Sequence, residues 1–252
     1  MTPALSQITD FMDDLLDSKN VADWANALNG LQLANSGNVT RIGAAVDAGE
    51  RTLEKAVAAG VDLLLVHHGL FWAGLQPLTG AAFRKVRLAI QSDMAIYSAH
   101  LPLDVHPTLG NNALLAHALG LTAPEPFFFE KGRYIGLKAA VSVPLGELVA
   151  RLEKAVGGTI KVFAGGPEVA TRIGVVTGGA GAEIYKAAGE GVDTFITGEG
   201  PHWAAIAAEE VGVNLLLAGH YATETFGVKA LAAGVGEKFG LPWQFIDHPT
   251  GL

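Results

Sequence analysis

Arg41–Trp72 reads RIGAAVDAGERTLEKAVAAGVDLLLVHHGLFW, and Arg172–Trp203 reads RIGVVTGGAGAEIYKAAGEGVDTFITGEGPHW; the two align without a gap at an offset of 131 residues. Ten of the 32 positions are identical: Arg41/Arg172, Ile42/Ile173, Gly43/Gly174, Lys55/Lys186, Ala56/Ala187, Gly60/Gly191, Val61/Val192, Asp62/Asp193, Gly69/Gly200 and Trp72/Trp203. Each copy predicts strand, turn, helix, strand. Ile42 to Val46 and Ile173 to Thr177 are short apolar runs, and Thr52 to Ala59 and Glu183 to Ala188 carry helix formers. A glycine, Gly60 or Gly191, stops each helix. Asp62 to Val66 and Asp193 to Thr197 then read as buried parallel strands, completing a βαβ unit.

The repeat resumes downstream at an offset of 120, because the loop around Ala73 to Gly80 has no counterpart in the second copy. Ala95 to His100 answers Leu215 to His220, Asp104 answers Glu224, and helices are predicted over Asn112 to Leu119 and Thr225 to Ala233. The expected fold is α/β: two similar halves related by internal duplication, together forming one compact two-lobed unit. Residues 1–126 make the first half, with an N-terminal helix over Ile8 to Leu16 and a short extended piece at Gly30 to Leu33. Residues 127–170 connect, with a strand-like Leu137 to Val143 and an amphipathic helix from Gly146 to Val156. Residues 171–252 make the second half.

Composition narrows the chemistry. The chain has 252 residues, half of them apolar, enough for a full hydrophobic core. It contains no cysteine, which excludes disulfides, thiolate zinc sites, iron–sulfur clusters and a cysteine nucleophile. No run approaches the ~18 apolar residues of a membrane span, and the first residues lack a basic start followed by an apolar stretch. A cytoplasmic location, away from membranes, is expected. A net charge of −8 without a Lys/Arg cluster argues against direct nucleic-acid binding.

In open α/β sheets ligands collect beyond the carboxyl ends of the strands. His67, His68, His100 and Asp104 lie at that edge in the first half, and Glu199, His202, His220 and Glu224 in the second. If the two edges face each other, these eight groups surround one cleft. Imidazoles and carboxylates together suit divalent Zn, Mn, Fe, Co or Ni. Three histidines and two carboxylates exceed what one open catalytic ion needs, but fit two ions about 3.5–4 Å apart with a bridging carboxylate. His220 and Glu224, four residues apart, share a helix face if a helix starts there. His67 and His68 diverge in a regular strand and share a site only if the strand ends and Gly69 turns the chain.

An isolated His-His or HxxxD is a weak signal; their recurrence at equivalent positions of a duplicated unit is what gives them weight. His67, His68, Asp104, His220 and Glu224 rank first as metal ligands. His100 is a further ligand by repeat symmetry, an orienter of Asp104, or a proton carrier behind the ligands. Glu199 and His202 line the cleft or are ordinary loop residues. His106, His117 and His248 read as bland, and Trp72 and Trp203 as packing. Gly165-Gly166-Pro167 and Gly178-Gly179-Ala180-Gly181 lack the endings of phosphate loops and read as turns. No Gly-x-Ser-x-Gly elbow is present.

Several motifs in order resemble the NIF-three-like family, whose members carry the name GTP cyclohydrolase I type 2 homologue. They are Asn29 to Leu33, Val66 to Trp72, Tyr97 to Asp104, Gly110 to Asn112, Gly132 to Leu137, Thr197 to Glu199 and Gly219 to Glu224. The resemblance spans nearly the whole chain. It implies a two-domain α/β metal protein assembled as a toroidal homohexamer, with dinuclear sites facing an internal cavity. The family's ligands fall on His67, His68, Asp104, His220 and Glu224, and His100 matches a position close to the metals. The large inserted domain of some members does not fit in this length. The family name implies metal-activated water attacking a purine ring, with ring opening and formate release. Two functions stay open: a metal-dependent hydrolase of a nucleotide-like or phosphorylated small molecule, and a non-enzymatic hexameric metal store, chaperone or interaction hub.

Overall fold

A computed structural model describes residues 2–252. In chain order its first elements are α1 (Leu5–Leu16), β1 (Gly30–Leu33), β2 (Ile42–Asp47), α2 (Glu50–Ala58), β3 (Leu63–His68), α3 (Gly80–Gln91), β4 (Ala95–Ser98), α4 (Leu101–Asp104) and α5 (Asn111–Ala118). There follow β5 (Glu125–Glu130), β6 (Arg133–Pro144), α6 (Leu145–Val156), β7 (Lys161–Ala164), β8 (Val169–Val175), α7 (Ile184–Gly189), β9 (Thr194–Thr197) and α8 (His202–Val211). The last are β10 (Asn214–Leu217), α9 (His220–Thr223), α10 (Thr225–Phe239) and β11 (Trp243–Phe245). Among the described residues no helix is long and apolar enough to cross a membrane.

Packing divides the chain into two units, Met1–Leu103 with Gly227–His248, and Asp104–Phe226 with Pro249–Leu252. The first holds a five-stranded sheet in the order β1-β4-β3-β2-β11. Strands β11, β2, β3 and β4 run parallel, and β1 is antiparallel to β4. Leu53, Ala56, Leu64, Val66 and Ile96 are core residues of this unit. The second unit holds a six-stranded sheet, β5-β6-β8-β9-β10-β7, whose centre β8-β9-β10 is parallel and whose flanks are antiparallel. Its core gathers Leu115, Leu148, Leu152, Ile173, Ile196 and Leu216.

The parallel trios β2-β3-β4 and β8-β9-β10 are the two copies of the repeat, so the α/β duplication is present as structure. Gly60 and Gly191 both adopt left-handed φ, +70° and +84°, after α2 and α7. The segment 127–170 contributes β6, β7 and most of β5 directly to the second sheet, and α6 between β6 and β7 in the chain. Helix α10 runs six residues beyond the expected Ala233, to Phe239, because Val235 and Gly236 continue the buried stripe of Leu231 and Ala232.

The duplicated aspartate explains itself here. The Asp62 carboxylate accepts the backbone N–H groups of Thr40 (2.8 Å) and Arg41 (3.0 Å) and the Thr40 hydroxyl. Asp193 does the same for Thr171 and Arg172, with the Thr171 hydroxyl as third donor. Each aspartate immediately precedes one strand and ties it to its parallel neighbour, Asp62 to the residues just before β2 and Asp193 to residues within β8. Asp62→Ala and Asp193→Ala are each expected to lower stability by about 1–2 kcal/mol, since three donors lose a charged acceptor near the surface. Urea unfolding midpoints check this; a change below about 0.5 kcal/mol in both would show the motif to be incidental.

Candidate metal centre

The first unit gathers its polar side chains at the carboxyl end of its parallel strands. His67 and His68 are the last residues of β3, and His100 lies just past β4. All three are buried, and each offers a ring nitrogen within 4.8 Å of the others. The rings pack at a tilt of about 50° to one another, with centroids 4.9 Å apart for His67 and His68 and 4.8 Å for His67 and His100.

Each ring is held from behind through Nδ1. His67 Nδ1 lies 2.9 Å from the Ala99 carbonyl oxygen, His68 Nδ1 2.8 Å from Asp47 Oδ1, and His100 Nδ1 2.9 Å from Asp23 Oδ1. A carbonyl and two carboxylates only accept, so Nδ1 carries the proton in each case. In the neutral ring the lone pair then sits on Nε2. This is the posture of a metal-binding histidine. Burial pushes the Asp23 carboxyl up, but hydrogen bonds from His100, Asn29 and the Leu101 amide outweigh it and hold its pKa below the usual carboxylate value.

Strand β3 ends at His68 and the Gly69 carbonyl accepts the Trp72 N–H as the chain turns, as expected, but Gly69 has a second purpose. Its φ is not left-handed; instead the Gln32 side chain fills the space that a Cβ would take, 2.3 Å from that position. Gln32 accepts the Leu70 N–H at 2.7 Å and donates to the Ala27 and Leu28 carbonyls, so β1 fixes the loop that follows the two histidines. Trp72 is not simple packing either. It is 38% exposed and lies 4.5 Å, centroid to centroid, from both His68 and His100, while Trp24, 43% exposed, meets His100 edge-on at 5.6 Å.

The second unit carries the carboxylates. The sequence repeat pairs Asp104 with the first copy, but by packing it belongs here. Its Oδ1 accepts from Asn111 Nδ2 at 2.8 Å, while Asn112 donates to the Ile135 carbonyl and accepts the Thr177 N–H, both at 2.8 Å. His220 opens α9 and Glu224 follows its last residue, so the expected i, i+4 pair forms, with His220 Nε2 3.2 Å from Glu224 Oε1. Glu199 backs the ring, 3.0 Å from His220 Nδ1, and is therefore part of the site. His202 is an exposed residue at the first turn of α8. His106 takes the Leu109 N–H in a turn, His117 is exposed on α5, and His248 sits 3.5 Å from Lys55 Nζ.

Burial works against charge on His220, but Glu224 first and Glu199 second more than offset it, and its pKa is pushed up to about 9. A raised imidazole contributes stability that is complete below its unfolded value of 6.5 and is lost as pH rises through 9. The metal-free chain is therefore expected to lose stability on this account between about pH 6.5 and 9. Glu199→Gln should shift the His220 titration downward, read from its imidazole proton resonance; an unmoved titration would show that the Glu199 contact does not govern the ring.

The donor set fits divalent cations: oriented imidazole nitrogens and buried carboxylates, with no sulfur. Asp47, Asp23 and Trp24 were missed by sequence reading. Asp47 was within reach of it, because it ends β2 at the same strand edge and pairs in register with His68. Asp23 and Trp24 lie in irregular chain between α1 and β1, where no periodicity marks them.

Residues 3–250 match the model of the Duf34/NIF3 (NGG1p interacting factor 3) family. The chain is 46% identical over 228 residues to a Deinococcus radiodurans protein named GTP cyclohydrolase 1 type 2 homolog, covering 90% of this chain and 87% of that one. It is 41% identical to a Halobacterium salinarum protein of the same name, covering 97% and 99%. Among solved structures, Thermus thermophilus TTHA1606 superposes with a TM-score of 0.90 at 39% identity, over 99% of this chain and 100% of that one. Sequence, fold and the grouped histidines and acids agree, and the chain belongs to the Duf34/NIF3 family.

Proposed function

We propose that the chain is a metal-dependent hydrolase with a dinuclear centre held by His67, His68, Asp104, His220 and Glu224, acting on a nucleotide-like or phosphorylated small molecule. The observation that carries this reading is the common posture of four imidazoles. His67, His68, His100 and His220 each have Nδ1 against an oxygen acceptor, which directs Nε2 outward as the ligating or proton-carrying atom. The ions are two of the class Zn, Fe, Mn, Co or Ni. When bound, such a pair lowers the pKa of water towards neutrality and polarises the bond under attack.

The chain's own residues do the rest. Asp47, the Ala99 carbonyl and Glu199 keep three rings in one orientation. His100, backed by Asp23, carries a proton at Nε2 to or from the reacting group. The exposed parts of Trp24 and Trp72 offer faces on which a planar base stacks beside His100. The relatives' name points to GTP, but Arg84 is engaged with Glu50, Lys85 with the Ala48 carbonyl and Arg87 with Gln91. These three basic residues therefore give GTP no support over smaller substrates, and the proposal stays at the level of the class.

Assembly as a cytoplasmic homohexamer belongs to the same reading, and light scattering should find a particle six times the 26.1 kDa chain. The deciding experiment is an assay of metal-loaded protein against GTP and a panel of nucleotides and phosphoesters. Metal-dependent product release supports the proposal. Full metal occupancy with no turnover across the panel would overturn it in favour of a non-catalytic metal-binding assembly.

A further inference from the structure

We infer that Gly178 is a positioning residue of the metal centre: its missing side chain is the space in which the Glu224 carboxylate is held against His220. The inference rests on the metal reading above, but its geometry lies wholly within the second unit. A Cβ on Gly178 would fall 2.3 Å from Glu224 Oε1 and 3.4 Å from His220 Nε2. The backbone of Gly178 therefore lies directly on the carboxylate, at the atom that faces the imidazole 3.2 Å away.

What makes this a device and not a loose fit is that the glycine cannot retreat. Its N–H donates to the Thr223 hydroxyl at 3.0 Å. Its carbonyl accepts from the Gly198 N–H at 2.8 Å, the Glu199 N–H at 3.0 Å and the Thr197 hydroxyl at 3.1 Å. Thr197 and Thr223 are themselves fully buried. Thr223 in turn donates to the His220 carbonyl at 3.0 Å, which ties the loop to the helix that carries the ligands. An added methyl meets a fixed backbone on one side and the movable end of a glutamate on the other, so the carboxylate is what moves. The sequence stretch Gly178-Gly179-Ala180-Gly181, which lacks the ending of a phosphate loop, acquires a purpose: it is a flat support behind a ligand pair.

The test compares Gly178→Ala with Gly157→Ala. Gly157 has nearly the same left-handed φ, +72° against +74°, but open space where its Cβ would stand. Both variants strain the backbone alike, and only one meets Glu224. Zn²⁺ is titrated against a chromophoric competitor, and the metal-free variants are crystallised. Gly178→Ala is expected to weaken at least one Zn²⁺ site by tenfold or more and to move the Glu224 carboxylate away from His220. Gly157→Ala should bind as the parent does. Thr223→Val, which removes the hydroxyl that anchors Gly178, should weaken Zn²⁺ in the same direction with an unchanged circular dichroism spectrum, and it serves if Gly178→Ala does not fold. Parental Zn²⁺ affinity in Gly178→Ala and Thr223→Val, or equal losses in Gly178→Ala and Gly157→Ala, overturns the inference. If the parent itself binds no Zn²⁺, the metal reading fails, and the metal-free crystals still decide: an unmoved Glu224 in Gly178→Ala refutes the positioning role.

Discussion

Glu224→Ala and His67→Ala are each expected to lower metal-dependent turnover by about a hundredfold or more, equivalent to roughly 2.7 kcal/mol of transition-state stabilisation. Glu224 is 3% exposed, and its Oε1 lies against His220 Nε2, so truncation removes a buried carboxylate from that side of the ring, while Glu199 is held at the opposite nitrogen, Nδ1. His67 is completely buried, with its orientation fixed by the Ala99 carbonyl. Removing it deletes one of three clustered ring nitrogens, and His68 and His100, each held in place through Nδ1 by Asp47 and Asp23, do not swing into its position. The two substitutions fall in different copies of the repeat. A loss in both is what a centre assembled from both copies requires, whereas a loss in only one would confine the chemistry to that copy. Metal content by mass spectrometry and circular dichroism separates loss of ligation from loss of fold. His117→Ala, exposed on α5, is the control and should leave turnover unchanged. Turnover unaffected by both ligand substitutions would sink the proposed function.

Much of the fold was legible because duplication writes its own check. A single Asp-Leu-Leu-Leu-Val run is compatible with a strand or a buried helix; an equivalent run, Asp-Thr-Phe-Ile-Thr, 131 residues later and after the same Gly-Val pair, is hard to read as anything but a βαβ unit. The ligand candidates became legible for the same reason, since His100/His220 and Asp104/Glu224 fall at equivalent positions. What resisted was non-local. The three residues of β11 pair with β2 across 201 positions, and no pattern in Trp243–Phe245 announces that partner. Residues 127–170 looked like a connection because much of their pairing, of β6 with the body of β8 and of β7 with β10, reaches outside the segment. Asp23 reaches His100 from a loop 77 residues away, and only the folded chain shows that it, together with Asn29, holds that ring. Gly69 was singled out for the turn that it opens, but the close approach of the Gln32 side chain, which also requires a glycine there, has no local signature.

Removal of metal by a chelator is expected to lower the melting temperature by about 10 °C at pH 7.5. Ions that bind only the folded chain stabilise it by RT ln(1 + [L]/Kd), about 4 kcal/mol when the free metal stands a thousandfold above Kd. For a chain of 252 residues each kcal/mol moves the midpoint by roughly 2–4 °C, which puts the shift at about 8–16 °C. Electrostatics acts in the same direction. Asp104 and Glu224 are buried acids, and without cations their compensation within the second unit rests on Asn111 and on a protonated His220. That support is withdrawn as pH rises towards 9, so the gap between loaded and stripped protein should widen from pH 7 to 9. Differential scanning calorimetry with and without chelator, with metal content measured on the same samples, gives both numbers. An unchanged midpoint in protein verified to have lost its metal would show that the ions contribute nothing to the folded state, and the five-residue centre would have to be abandoned.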